Sequence, residues 1–289
     1  MTIHTQDAPS PAGITSVGAP LRIGAVALAV RDLDAMTAFY RDTIGLAILE
    51  AGAGHARLGA GGDVLVELIH EPAARRADPA EAGLFHVAFL VPDRAALAAW
   101  FRHAAGRDVG RLGASDHLVS EALYLADPEG NGIEIYRDRP SETWTLRGGA
   151  VEMATHRLDL DALAADAPDG PWDGMPAGTH VGHVHLQVGD ADAATAFYAD
   201  LLGLDVMHRM RGAAFFATGG YHHHLAANRW NSAGAGPRPA GTTGLRSVEL
   251  VVADPDLRAR LAAHAEAAPP GAAPALIDPW GTVLRLRAA

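Results

Sequence analysis

The chain has 289 residues, 49% of them hydrophobic and 20% charged, a profile that fits a soluble globular protein with one large or two medium domains. Its formal charge of −11 argues against nucleic acid or an anionic membrane as the main partner. Cysteine is absent, which excludes disulfides and thiolate chemistry and leaves His, Asp and Glu to hold any metal.

Residues 1–20 are rich in Pro, Ser and Gly and lack the apolar core of a signal peptide, and no run reaches the length of a membrane span. A flexible arm at 1–20 and a cytoplasmic protein are expected. Beyond the arm the chain repeats itself. Residues 30–46, VRDLDAMTAFYRDTIGL, match residues 188–204, VGDADAATAFYADLLGL, at an offset of 158. Each copy follows an alternating strand and reads as a helix that starts at an acidic cap and stops at glycine. A fainter pair, FHVAFLV from Phe85 and RSVELVV from Arg246, also leads into helices. These two units close on related hairpins, DPEGNGIEIY at Asp127 and DPWGTVLRLR at Asp278. Four strand–helix–strands modules result, at 21–72, 83–140, 180–230 and 243–289. They form an N-terminal domain at 21–140 and a C-terminal domain at 180–289, joined by a linker at 141–179. A Gly/Pro loop at 231–242 is placed to cover a pocket.

Equivalent positions in the modules can be compared within this one sequence. The Asp that opens each helix fixes the frame, and the first-strand position reads Ala25, His86, His183 and Ser247. In the last strand Glu134 aligns with Arg285. Modules two and three thus carry His86, Glu134 and His183, whereas modules one and four carry a set that cannot bind a cation. Glu134 stands between Ile133 and Ile135, so its side chain points to the face opposite theirs. There, desolvation of the carboxylate must be compensated. Two imidazoles and a carboxylate with open positions form a facial triad suited to Fe(II), Mn(II) or Zn(II). His185 shares the strand face of His183 and is its rival; the repeat frame selects His183. Glu67 in module one lacks partners and reads as structural, and Leu225 fills its position in module three. The run at His222, His223 and His224 reads as a strand in which His223 shares the inward face. A histidine beside a metal is a natural acid–base group, and His117 and Tyr124 stand close enough in sequence to Glu134 for a short hairpin to gather all three.

The segment DHLVSEALYLADPEGNGIEIY, with His117, Leu123, Tyr124, Asp127, Pro128, Gly130 and Glu134, resembles the signature of extradiol ring-cleaving dioxygenases. Ser115 is a mild departure from it. With the GHVHL strand and the YHHHLA run, residues 21–289 resemble the vicinal oxygen chelate superfamily of glyoxalases, bleomycin-resistance proteins and dioxygenases, most nearly its catechol 2,3-dioxygenases. The resemblance implies an α+β fold of four βαβββ modules forming two cupped mixed β-sheets with helices outside. It implies Fe(II), with Mn(II) as the other candidate, held by His86, Glu134 and His183 between modules two and three. It further implies His223 as the acid–base residue, with His117 and Tyr124 on the substrate. The implied partners are a small aromatic diol and O2, and a homo-oligomer is compatible with the sheet edges. Which of His222, His223 and His224 serves stays open at this point. So do a glyoxalase-type lyase or isomerase with a fourth metal ligand, and a non-enzymatic small-molecule-binding protein.

Overall fold

The computed structural model describes residues 13–147, 150–265 and 274–289. Module one runs β1 (Leu21–Val30), α1 (Leu33–Phe39), β2 (Ala47–Gly52), β3 (His55–Ala60) and β4 (Asp63–His70). Module two runs β5 (Gly83–Leu90), α2 (Arg94–Ala105), β6 (Gly113–Asp116), β7 (Ser120–Ala126) and β8 (Gly132–Asp138). The connecting segment holds β9 (Leu146–Arg147), β10 (Ala150–Val151) and α3 (Leu160–Ala165). Module three runs β11 (His180–Gln187), α4 (Ala191–Thr195), β12 (Asp205–Met210), β13 (Ala213–Ala217) and β14 (Leu225–Asn228). Module four is shorter among the described residues, with β15 (Gly244–Val252), α5 (Pro255–Ala263), β16 (Ala275–Ile277) and β17 (Val283–Ala288).

The module helices begin where the sequence marks them. Asp32, Asp93, Asp190 and Asp254 each accept backbone N–H groups from the first turn of α1, α2, α4 and α5, satisfying donors that have no partner within the helix. The matched helices α1 and α4 each widen into a π-helical turn, Tyr40–Ile44 and Ala196–Leu201. There Tyr40 donates to Asp127 at 3.1 Å and Tyr198 to Asp278 at 2.8 Å. These buried bonds pin each helix to the Asp-Pro hairpin of the next module.

Seven strands form one sheet, in the order β16-β17-β15-β1-β4-β3-β2, and eight form the other, β12-β13-β14-β11-β5-β8-β7-β6. The first joins modules one and four through antiparallel β1 and β15, and the second joins modules two and three through antiparallel β5 and β11. Each sheet therefore takes one module from each half of the chain. Alternation decides which side chains face the helices. Val87 and Phe89 of β5, Ile133 and Ile135 of β8, and Val184 and Leu186 of β11 pack into the main core with α2 residues such as Leu97 and Trp100. Burying each such side chain contributes roughly 2 kcal/mol. The intervening residues His86, Glu134, His183 and His185 are turned to the other, concave face.

Three connecting stretches differ from their sequence reading. Residues 13–20 of the expected arm are docked: Ser16 is buried, its hydroxyl stands 2.7 Å from His180 Nε2, and its carbonyl accepts from His224 Nε2 at 3.2 Å. Residues 1–12 lie outside the described part. The 141–179 linker is more than a connector, because backbone bonds tie its middle to β6 and place it over the concave face of the eight-stranded sheet. In the 231–242 loop, Asn231 and Arg238 line a separate groove, and the residue that reaches the site is Trp230, just before it.

Candidate active site

The centre of the eight-stranded sheet is built by register. Ala88 on β5 pairs with Glu134 on β8 and with His183 on β11, so these residues form one row, with His86 two positions before Ala88 on the same face. A bulge at Gly182 shifts β11 just before His183. Glycine is required there because the Tyr136 hydroxyl occupies the space a Cβ would take.

His86 Nε2 lies 3.0 Å from Glu134 Oε2, His183 Nε2 lies 3.1 Å from the same oxygen, and the two nitrogens are 3.3 Å apart. All three residues are buried. Ligands about 2.1 Å from one metal and at right angles to each other stand about 3.0 Å apart. The observed triangle therefore fits one face of an octahedral metal site. Two imidazole nitrogens that converge at this distance cannot both carry a proton, which is the arrangement a cation stabilises. Burial opposes ionisation of Glu134, yet the His183 and His86 rings hold its carboxyl well below the usual range. Burial also pushes His183 down to about 4, so His183 presents a neutral imidazole beside the Glu134 carboxylate.

A cavity of about 210 Å³ opens over the trio. His117 and Tyr124 line it. His117 Nδ1 lies 2.7 Å from the Ala154 carbonyl, which can only accept, so this nitrogen carries the proton. Nε2 must then accept from the Tyr124 hydroxyl, also at 2.7 Å. Burial, reinforced by Glu134, raises the Tyr124 phenol well above its ordinary value, so it stays protonated and oriented.

His223 lines the same cavity and stacks on His183 with ring centroids 4.1 Å apart. It belongs to a loop, because β14 begins only at Leu225; the strand read across the three histidines is corrected accordingly. Behind it, His222 Nε2 donates to Asp138 at 2.9 Å, so His222 Nδ1 accepts from His223 Nδ1 at 2.8 Å. This chain of bonds leaves His223 Nε2 without a proton and able to take one from the cavity. His224 is turned away to the docked arm. His185, the rival ligand, lies opposite His86 in the β5–β11 register and receives Asn228 Nδ2 at 3.0 Å. Its ring lies outside the group of three close ligand atoms. Glu67 pairs with Arg57 at 3.3 Å in the other sheet. The strand registers set Ala226 at its equivalent in module three, because Glu67 pairs with Ala27 and Ala226 with His185. That corrects Leu225 by one residue, and neither residue is a ligand.

The sequence left several participants unmarked. They are the Asp138–His222 pair behind His223, the Ala154 carbonyl behind His117, and the walls Phe85, Trp230 and Met153. Asp138 had a local signal, since it ends the same strand that carries Glu134.

The buried histidines make acid sensitivity predictable. Burial lowers His183 to about 4 and His224 to about 3, and lowers His185 and His223 well below 6.5. Each folded value lies below the unfolded one, so the contribution is complete above pH 6.5 and is lost as pH falls towards 4 and 3. At pH 5 the loss reaches about 2 kcal/mol for each of His183 and His224. Urea unfolding of metal-free protein is expected to show a midpoint clearly lower at pH 5 than at pH 7. Equal midpoints would mean that these rings are not held neutral.

A cupped sheet of paired βαβββ modules, with two imidazoles and a carboxylate converging on its concave face, is the build of a metal-site protein. A sequence profile of the Glyoxalase/Bleomycin resistance protein/Dioxygenase superfamily matches residues 22–135 and 180–268, and the chain belongs to that superfamily. It is 38% identical over 248 residues to a protein of Bacillus subtilis (strain 168) named Catechol-2,3-dioxygenase, covering 83% of this chain and 85% of the relative. Among solved structures, a putative dioxygenase from Bacillus subtilis superposes with a TM-score of 0.58 at 14% identity, over 92% of this chain and 84% of that one. Glyoxalase I from Zea mays superposes with a TM-score of 0.55 at 16% identity, over 92% of each chain. These two likenesses show a shared fold. No helix among the described residues is long and apolar enough to cross a membrane.

Proposed function

We infer that the protein is an extradiol ring-cleaving dioxygenase, opening a catechol-type ring beside its diol with O2 at a single non-haem Fe(II). The observation that carries this reading is the gathering of His86, Glu134 and His183 with His117, Tyr124 and His223 around one cavity. The name of the 38% identical relative supports it. Bound Fe(II), or Mn(II) in its place, would supply redox chemistry and would hold diol and O2 side by side.

The chain's own groups supply the rest. His86, Glu134 and His183 would hold the metal and would bring it one negative charge. His223 Nε2, kept free by the bond to His222, takes a proton from a diol hydroxyl and can return it to a developing oxygen anion. The Tyr124 oxygen, whose proton is committed to His117, accepts from the second hydroxyl and orients the ring. A glyoxalase-type reaction would call for a fourth protein ligand, and Ala226 stands where module three would supply one.

The test is anaerobic loading with Fe(II), followed by oxygen uptake with catechol and appearance of a yellow ring-opened product. Absence of uptake with Fe(II) and with Mn(II), across several catechols, would sink the proposal. Where turnover is found, the 141–179 segment is expected to set ring selectivity, because Met153 lines the cavity beside Phe215. Met153→Ala should raise the preference for an alkyl-substituted catechol over catechol by about tenfold in kcat/KM. An unchanged ratio would remove Met153 from that role.

A further inference from the structure

The seven-stranded sheet has a concave face of its own, and its chemistry is the inverse of the first. Arg285 pairs with Glu249 on the neighbouring strand in the way Glu134 pairs with Ala88. A guanidinium therefore stands where the other cup places its carboxylate. The positions equivalent to the two histidines are Ala25 and Ser247, and with Gly24 they leave the floor open. The resulting cavity, about 490 Å³, is more than twice the size of the one over the histidines.

Charge in this cup is only partly paired. Arg57 is engaged by Glu67 at 3.3 Å and Arg287 by Glu249 at 2.9 Å. Arg22 and Arg285 line the cavity and have no hydrogen-bond or ion-pair partner among the described residues. Arg22 and Arg287 flank Val251 in one row across β1, β15 and β17, and Arg285 lies two residues before Arg287 on the same face. With strands about 4.8 Å apart and a rise of about 3.3 Å per residue, Arg22 and Arg285, two strands across and two residues along, have backbones about 12 Å from each other. Long side chains from such positions can meet over one small ligand. Arg285 is exposed and Arg22 half-buried, so two guanidiniums without a partner among the described residues stand open to an anion in a protein of net charge −11.

We propose that this second cup binds a small organic carboxylate bearing a hydroxyl group, its carboxylate held by Arg285 and Arg22. Guanidinium forks match a carboxylate in two parallel bonds. The acidic side chains Asp63, Glu67 and Glu249 also line the cup. They disfavour a multiply charged anion such as phosphate, and they accept from a ligand hydroxyl. The site is independent of the reaction assigned to the other sheet.

The probe is mandelate, titrated calorimetrically into the full chain without added metal, so that the hydroxy acid cannot chelate an ion at the other cup, with inorganic phosphate in parallel. Saturable one-to-one binding of mandelate is expected, weakening as salt is raised. Arg285→Glu should weaken it at least tenfold, Arg285→Lys by a smaller factor, and His183→Ala not at all. Circular dichroism and thermal melting report whether each variant folds, and the exposed Arg285→Lys change preserves the test if charge reversal does not. No saturable binding by the intact chain would overturn the proposal. So would unchanged affinity in both folded Arg285 variants, loss of binding in His183→Ala, or tighter binding of phosphate than of mandelate.

Discussion

Replacing His183 by alanine is expected to bring metal content from near one ion per chain to background, with ring-cleaving turnover lost alongside it. The variant removes one of three ligand atoms that converge to within 3.3 Å. It also leaves the Glu134 carboxylate buried beside a single imidazole. Ala25→Gly, at the equivalent place in the other sheet, should leave metal content unchanged. A second readout needs no turnover. A ligand that binds only the folded state stabilises it by about 2.7 kcal/mol at a hundred times its dissociation constant, so Fe(II) should raise the melting temperature of the parent and not of His183→Ala. Equal metal content in the two variants would show that the trio is not the metal site.

His223→Ala should keep its metal and lose catalysis. General acid–base groups contribute about 10²- to 10⁴-fold, and a fall of that size in kcat with normal metal content is expected. Asp138→Asn, two bonds further back, should act through the proton position on His222 and shift the pH profile with a smaller loss of rate. Full activity in His223→Ala would pass the role to another cavity histidine, with His185 the nearest in kind.

What could be read in advance was whatever strand periodicity and the internal repeat encode. Position 86 and position 183 are equivalent because the same capped helix follows each strand, and the alternation around Glu134 gives its facing without knowledge of its neighbours. The pairing of modules two and three likewise follows from which copies keep metal-type side chains. Counting failed where the copies differ in length. The β3–β4 turn is Gly61 and Gly62, whereas residues 218–224 join β13 to β14. The frame therefore slips by one at Leu225, and the three histidines leave the strand. The segment over the cavity was illegible for another reason. Its strands, Leu146–Arg147 and Ala150–Val151, are too short to show a period, and its hold on His117 is a main-chain carbonyl that any residue supplies. Proton positions on His222 and His223 depend on Asp138, far off in sequence.

The exchange of modules between halves has a consequence for synthesis. While residues 180–289 are still on the ribosome, β1 and β5 each lack one flanking strand, because β15 and β11 have not yet emerged. Both of these bare edges are rich in valine, leucine and alanine, the kind that invites pairing with another nascent chain. Completion of either cup must wait for distant partners, which predicts slow maturation. An N-terminal fragment made alone should aggregate unless its complement is supplied in the same cell.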